Sequence, residues 1–172
     1  VTKSNAQRHG MVFWDDICRT VIPDYPDVTV DWMLVDAMTQ RMVLKPGTID
    51  TVLATNLHPD ILSDLAAALA GSLGIGATAN IDPSRKHPSM FEPIHGSAFD
   101  ITGKGIANPL GAFWTATMML DHLGETRAAE RLMRAIETVT SRGDTLSPDL
   151  GGRATTAEVT DAVIGAITGA NA

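Results

Sequence analysis

Residues 71 to 109 constrain the fold of this chain more than any other stretch. Glycine, proline and small polar residues leave no helical period there, between two regions that are plainly helical. Gly71 to Gly76 and the polar run Asn80 to Pro88 read as a connection, Ser89-Met90-Phe91-Glu92 as a strand, and Pro93 to Ala107 as a loop rich in glycine and small residues. A loop of that length stays ordered only when rigid elements hold its ends, and such loops are where binding and catalytic groups concentrate.

The flanking elements supply that rigidity. Met11, Trp14, Ile17, Cys18 and Val21 fall at helical spacing before Pro23 and Pro26, which predicts an amphipathic helix with one buried face. Val28 to Asp36 alternates as a strand does and reaches Asp36 at a junction with a helix over Ala37 to Leu44. Asp50 to Thr55 is short, apolar and β-branched, as a buried strand should be, and a helix from Pro59 to Ala70 ends at Gly71. Three further helices are expected: Pro109 to Leu123 with Asn108 as N-cap, Thr126 to Arg142 stopped by Gly143, and Thr155 to Thr168 opened by a capping box of Thr155 and Glu158. Strands mixed with helices give an α/β architecture. No strand leads into a glycine fingerprint that opens a helix, so a Rossmann nucleotide site is not supported.

Charge and composition exclude several functions. The net charge is −7, and the 13 lysines and arginines are scattered, so the chain has no footprint for a nucleic-acid backbone. No apolar run is long enough to span a bilayer, and no leader pattern opens the chain. The lone Cys18 cannot close an internal disulfide and no zinc spacing is present, which suits a reducing, cytoplasmic setting. The start at Val1 without a methionine, running at once into a helical pattern, suggests an excised or truncated segment.

Two aspartates are the first candidates for chemistry. Asp60 and Asp64 lie four apart near the start of one expected helix, so both carboxylates project from one face about a turn apart. Hard oxygen ligands so placed favour magnesium or manganese. Taken alone, the pair is better read as Asp60 complementing the helix dipole with Asp64 simply solvated. The surrounding string Asn56-Leu57-His58-Pro59-Asp60-Ile61-Leu62-Ser63-Asp64-Leu65, in which Ile61, Leu62 and Leu65 are expected to bury one side, resembles the β-decarboxylating dehydrogenases, the family of isocitrate, 3-isopropylmalate and tartrate/D-malate dehydrogenases.

A longer match lies in the glycine-bearing loop, from Phe91-Glu92-Pro93-Ile94-His95-Gly96-Ser97-Ala98-Phe99-Asp100-Ile101 through Gly103-Lys104-Gly105-Ile106-Ala107-Asn108-Pro109. In that family this loop holds the adenosine end of the nicotinamide cofactor, which implies cofactor contacts at His95, Gly96, Ser97, Ala98, Asp100 and Asn108. Gly96, Ser97 and Ala98 let a backbone approach a ligand closely, and the Asp100 carboxylate would accept from ribose hydroxyls while repelling a 2′-phosphate. The resemblance therefore implies NAD rather than NADP. A third match, Thr2-Lys3-Ser4-Asn5, sits where the family places a lysine facing the substrate of the neighbouring subunit. By similarity Lys3 is a catalytic proton carrier, and Asp36 a metal ligand donated across a dimer interface beside Asp60 and Asp64.

The resemblance covers essentially the whole chain. It implies an α/β, isopropylmalate dehydrogenase-like two-domain fold of which this chain is the C-terminal half. Residues 1–70 would belong to a smaller dimerisation domain and residues 71–172 to a larger cofactor-binding domain. Asn5-Ala6-Gln7-Arg8, Trp14-Asp15, Ala79-Asn80-Ile81-Asp82-Pro83, Met118-Met119-Leu120-Asp121 and Phe99 are most similar to the tartrate/D-malate branch. The implied activity is NAD- and Mg- or Mn-dependent oxidation, with or without decarboxylation, of a small 2-hydroxydicarboxylic acid such as tartrate or D-malate, in a homodimer. Relatives are about twice as long, and their first half supplies the arginines that clamp substrate carboxylates and a tyrosine acid. Two alternatives stand beside this: a 3-isopropylmalate dehydrogenase, and a non-catalytic fragment or subunit that dimerises and binds nucleotide.

Overall fold

The apolar period from Met11 to Cys18 does form a helix, α1 (Gly10–Val21), which buries Met11, Asp15 and Cys18. In this computed structural model, which describes residues 1–169, the chain divides into two compact units, Val1–Leu69 and a second beginning at Ala70. In the first unit α1 is followed by α2 (Val35–Leu44) and α3 (Leu57–Ala70). Ile17 and Val21 stay about half exposed, and with Trp14, Cys18, Tyr25, Val28, Val30 and Leu53 they line an open apolar cleft of about 320 Å³.

The strands expected over Val28 to Leu34 and Asp50 to Thr55 are not formed. Neither segment carries a ladder, and only residues 1 and 2 bond to them: the Thr2 N–H donates to the Met33 carbonyl at 3.0 Å, the Val35 N–H to the Thr2 carbonyl at 2.9 Å, and the Val1 nitrogen to the Leu53 carbonyl at 2.6 Å. One parallel bridge, Thr2 to Leu34, results. A strand is a partnership between segments, and the partner offered here by residues 1 to 3 is too short to sustain one.

The second unit holds β1 (Ala77–Asn80), β2 (Met90–Pro93), α4 (Leu110–His122), α5 (Thr126–Arg142) and α6 (Thr156–Thr168). β1 and β2 pair antiparallel in the register Ala77 to Pro93 and Asn80 to Met90. The Ala-Thr-Ala-Asn of β1 lies between the stretches expected to be connection, runs into the second of them, and lacks a bulky β-branched run; pairing with β2 and cover by α4 make it a strand. At Gly111 α4 lies against the 3₁₀ turn Leu73–Ile75 that leads into β1, where an added Cβ would sit 2.8 Å from the Gly74 carbonyl oxygen. The core lies among α4, α5 and α6, where Leu110, Ala135, Ile136, Val139, Val159 and Val163 pack together. Val159 and Val163 are wholly buried, each a stabilisation of roughly 1.5–3 kcal/mol.

The helix ends follow local rules. Gly143 closes α5 in the left-handed conformation. Thr155 and Glu158 form the expected capping box of α6: the Glu158 N–H donates to Thr155 Oγ1 at 3.2 Å and the Thr155 N–H to Glu158 Oε2 at 2.7 Å. The N-cap of α4 is Pro109 rather than Asn108, although the Asn108 side chain still accepts from the Leu110 N–H at 2.9 Å. The described residues are mainly helical with one small sheet. Among the described residues no helix is long and apolar enough to cross a membrane.

Candidate active-site residues

The bridge at Thr2 carries Lys3 to the start of α2. There Lys3 Nζ lies 2.6 Å from Asp36 Oδ1, an ion pair between residues 33 apart in the chain. Asp36 stands in the first turn of α2 rather than before it, and a carboxylate there is favoured by the exposed N–H groups of the helix end. The hydrogen bond from Lys3, supported by the backbone of Asp36 itself, holds this carboxyl below its ordinary value. Lys3 is fixed from its own side as well: its carbonyl accepts from the Ala6 and Gln7 N–H groups, each at 2.9 Å.

Asp60 and Asp64 both lie on α3 and both are exposed, one turn apart, with no hydrogen bond or ion pair to their carboxylates among the described residues. α3 buries His58, Leu62 and Ala67. Ile61, expected on the buried side, is instead about half exposed. His58, which sequence reasoning gave no role, is buried, and its Nδ1 has no partner among the described residues. As donors, two carboxylates one turn apart suit a hard divalent cation. Among the described residues no three His, Cys, Asp or Glu side chains come together as a ligand set, so Asp36 is not gathered with Asp60 and Asp64.

The glycine-bearing loop leaves β2 and keeps His95, Gly96, Ser97, Ala98 and Asp100 exposed in one continuous stretch. Ala98 takes the left-handed conformation, φ 43°, which a side chain adopts only when the surroundings impose it. It opens a short 3₁₀ turn, Phe99–Ile101, with Asp100 in that turn and Phe99 almost fully exposed. His95 Nδ1 lies 3.0 Å from the Gly96 carbonyl oxygen. The far end of the loop is tied down, because the Gly105 and Ala107 carbonyls accept from the N–H and hydroxyl of Thr156 at 2.9 and 2.5 Å.

Asn108 is half-buried and its amide is engaged: Nδ2 donates to Asp149 Oδ2 at 2.9 Å. Ser72 donates to the same Asp149 oxygen. Partial burial works to raise the Asp149 pKa, but hydrogen bonding, including that from Ser72 and Asn108, outweighs it and leaves the carboxyl below its ordinary value. Sequence reasoning missed Asp149 and Ser72, and their spacing from Asn108 offers no signal that would have found them.

The comparisons with known proteins agree on one family. The pattern of the isocitrate/isopropylmalate dehydrogenases matches residues 1–163. The chain is 70% identical over 171 residues to a protein named probable tartrate dehydrogenase/decarboxylase from Agrobacterium vitis, covering 99% of this chain and 48% of that one. It is 43% identical to D-malate dehydrogenase [decarboxylating] of Escherichia coli, over 94% of this chain and 46% of that one. The fold matches the crystal structure of isocitrate dehydrogenase from Methylococcus capsulatus with a TM-score of 0.91 at 39% identity, covering 96% of this chain and 49% of that structure. The fold is therefore isocitrate/isopropylmalate dehydrogenase-like, and the chain spans about half the length of the curated relatives it matches.

Proposed function

Since the chain belongs to the isocitrate/isopropylmalate dehydrogenase family, we propose that it is the C-terminal half of an NAD-dependent, divalent-metal-dependent enzyme that oxidises a small 2-hydroxydicarboxylic acid of the tartrate or D-malate kind, with or without loss of carbon dioxide. Residues 1–70 belong, in this reading, to a smaller dimerising domain, and residues 71–172 to a larger cofactor domain. A cytoplasmic location fits the lone buried cysteine.

The observation that carries the proposal is the Lys3–Asp36 pair. A side chain able to move the substrate hydroxyl proton and a carboxylate able to bind a cation are held together by the fold although 33 residues separate them. Asp36, Asp60 and Asp64 would hold Mg²⁺ or Mn²⁺, with Asp36 serving the partner of a dimer. When bound, the dinucleotide supplies the hydride acceptor and the cation a Lewis acid for the substrate hydroxyl and carboxylate oxygens. Lys3, once neutral because its own proton has passed to solvent, would take up the hydroxyl proton, directly or through one water. Asp36 orients the Lys3 side chain at the same time. His95 to Asp100 line the adenosine end of the dinucleotide, with Asp100 accepting from the ribose hydroxyls. The similarity to relatives named for tartrate and D-malate supports the substrate class.

The test is Lys3→Met in the full-length polypeptide. We expect D-malate- or tartrate-dependent NAD reduction to fall by about 10²–10⁴-fold, the range for losing a proton-transfer group, while NAD binding stays unchanged. Undiminished turnover would overturn the role of Lys3. Turnover of 3-isopropylmalate in preference to both acids would move the substrate assignment to that alternative.

A further inference from the structure

The Asn108 amide is occupied at both ends. Its Oδ1 accepts from the Leu110 N–H at 2.9 Å, and its Nδ2 donates to Asp149 Oδ2 at 2.9 Å. Turning the amide over would set its NH₂ against the Leu110 N–H and its carbonyl oxygen against a carboxylate, so both contacts would become repulsive. One orientation is thereby selected, and it leaves one Nδ2 hydrogen and one Oδ1 lone pair for anything that binds the loop.

Asp149 is itself braced. Ser72 donates its hydroxyl to the same Oδ2, and that hydroxyl accepts in turn from the Gly74 N–H at 2.8 Å. The three segments fit only because residue 74 has no side chain: a Cβ there would lie 2.7 Å from Asp149 Oδ2 and 2.8 Å from Asn108 Cβ. Contacts spanning 41 and 77 residues converge on this one carboxylate oxygen. The depressed pKa of Asp149 keeps the group ionised, and hence purely an acceptor, at neutral pH.

We propose that Asp149 is a positioning residue for the dinucleotide loop: braced by Ser72, it fixes the orientation of the Asn108 amide and so determines which donor and acceptor that residue offers the adenosine end of the cofactor. The inference rests on the reading of Asn108 as a cofactor contact.

A double-mutant cycle in the full-length polypeptide with its metal tests it. Asn108→Ala and Asp149→Ala should each raise KM for NAD about tenfold, the loss expected for a hydrogen bond involving a charged group, with kcat within about twofold. The double variant should be no worse than the more affected single variant. Asp149→Asn, which keeps one oxygen acceptor, should recover part of the loss. Ser72→Ala, which spares the carboxylate, should give a smaller rise in the same direction and serves if Asp149→Ala does not fold. Fully additive losses, or a lowered Tm with KM for NAD unchanged in both Asp149→Ala and Ser72→Ala, would overturn the positioning role alone. An unchanged KM in Asn108→Ala would remove Asn108 from the cofactor site and overturn the loop reading beneath it.

Discussion

Asp60 and Asp64 show how far a single pair of residues carries an argument. Their spacing placed both carboxylates on one face of a helix, and α3 keeps both exposed there. In the full-length polypeptide, Asp60→Asn or Asp64→Asn removes one charged oxygen ligand, so manganese binding should weaken by tenfold or more while NAD binding changes little; equal manganese affinity in wild type and both variants by calorimetry would contradict the assignment. Asp100 carries a separate expectation. Its exposed carboxylate should favour free ribose hydroxyls over a phosphate, so Asp100→Lys should shift the ratio of kcat/KM from NAD towards NADP by at least tenfold. A ratio unmoved by that change would sink the loop as the cofactor site. Both predictions concern residues legible in the sequence, because their signals are local: an i, i+4 spacing and an uninterrupted string. Asp149 was not legible, since its meaning comes from contacts to Asn108 and Ser72 across 41 and 77 residues.

At the scale of elements, helices were readable and strands only in part: the stretch expected at Ser89 to Glu92 became β2, whereas those expected at Val28 to Leu34 and Asp50 to Thr55 did not form. Helical hydrogen bonds close within the segment, so periodicity and caps predict them, and α5 matches its expected Thr126 to Arg142 bounds. Strands depend on a neighbour. Val28 to Leu34 had the right alternation without a lasting partner, whereas β1 had an unpromising composition and a good one. The capping box of α6 gives an element-scale test. Thr155→Ala should lower stability by about 1 kcal/mol at neutral pH, as lost N-caps do. Its other half is pH-dependent: bonding to the Thr155 backbone and hydroxyl holds Glu158 below its ordinary value of 4.5. A depressed folded-state pKa means that the contribution is complete above 4.5 and is lost as pH falls through the folded value. The stability gap between wild type and Glu158→Ala should therefore narrow below pH 4.5 in denaturant melts, and a gap constant down to pH 3 would count against the box as a source of stability.

For the molecule as a whole, length decides what these residues can do alone. The chain spans about half of the curated relatives it matches, and its first unit leaves Phe13, Leu44, Leu53, Leu57 and Ile61 more than half exposed. Leu57 and Ile61 lie one turn apart on α3, beside Asp60 and Asp64. An apolar strip of that kind on a helix is covered by another helix or by a second copy in a stable protein. Asp36 is not gathered with Asp60 and Asp64 among the described residues, and in the proposed reading the ligand set is completed across a dimer. Exposed strip and incomplete ligand set point to one behaviour. Residues 1–172 prepared alone should associate, with a light-scattering mass above that of one chain, and should give no detectable NAD reduction with D-malate or tartrate in the presence of manganese. The same assay on the full-length polypeptide should show turnover. A stable monomer of residues 1–172 whose activity equals that of the longer polypeptide would overturn both the dimer-borne metal site and the need for the other half.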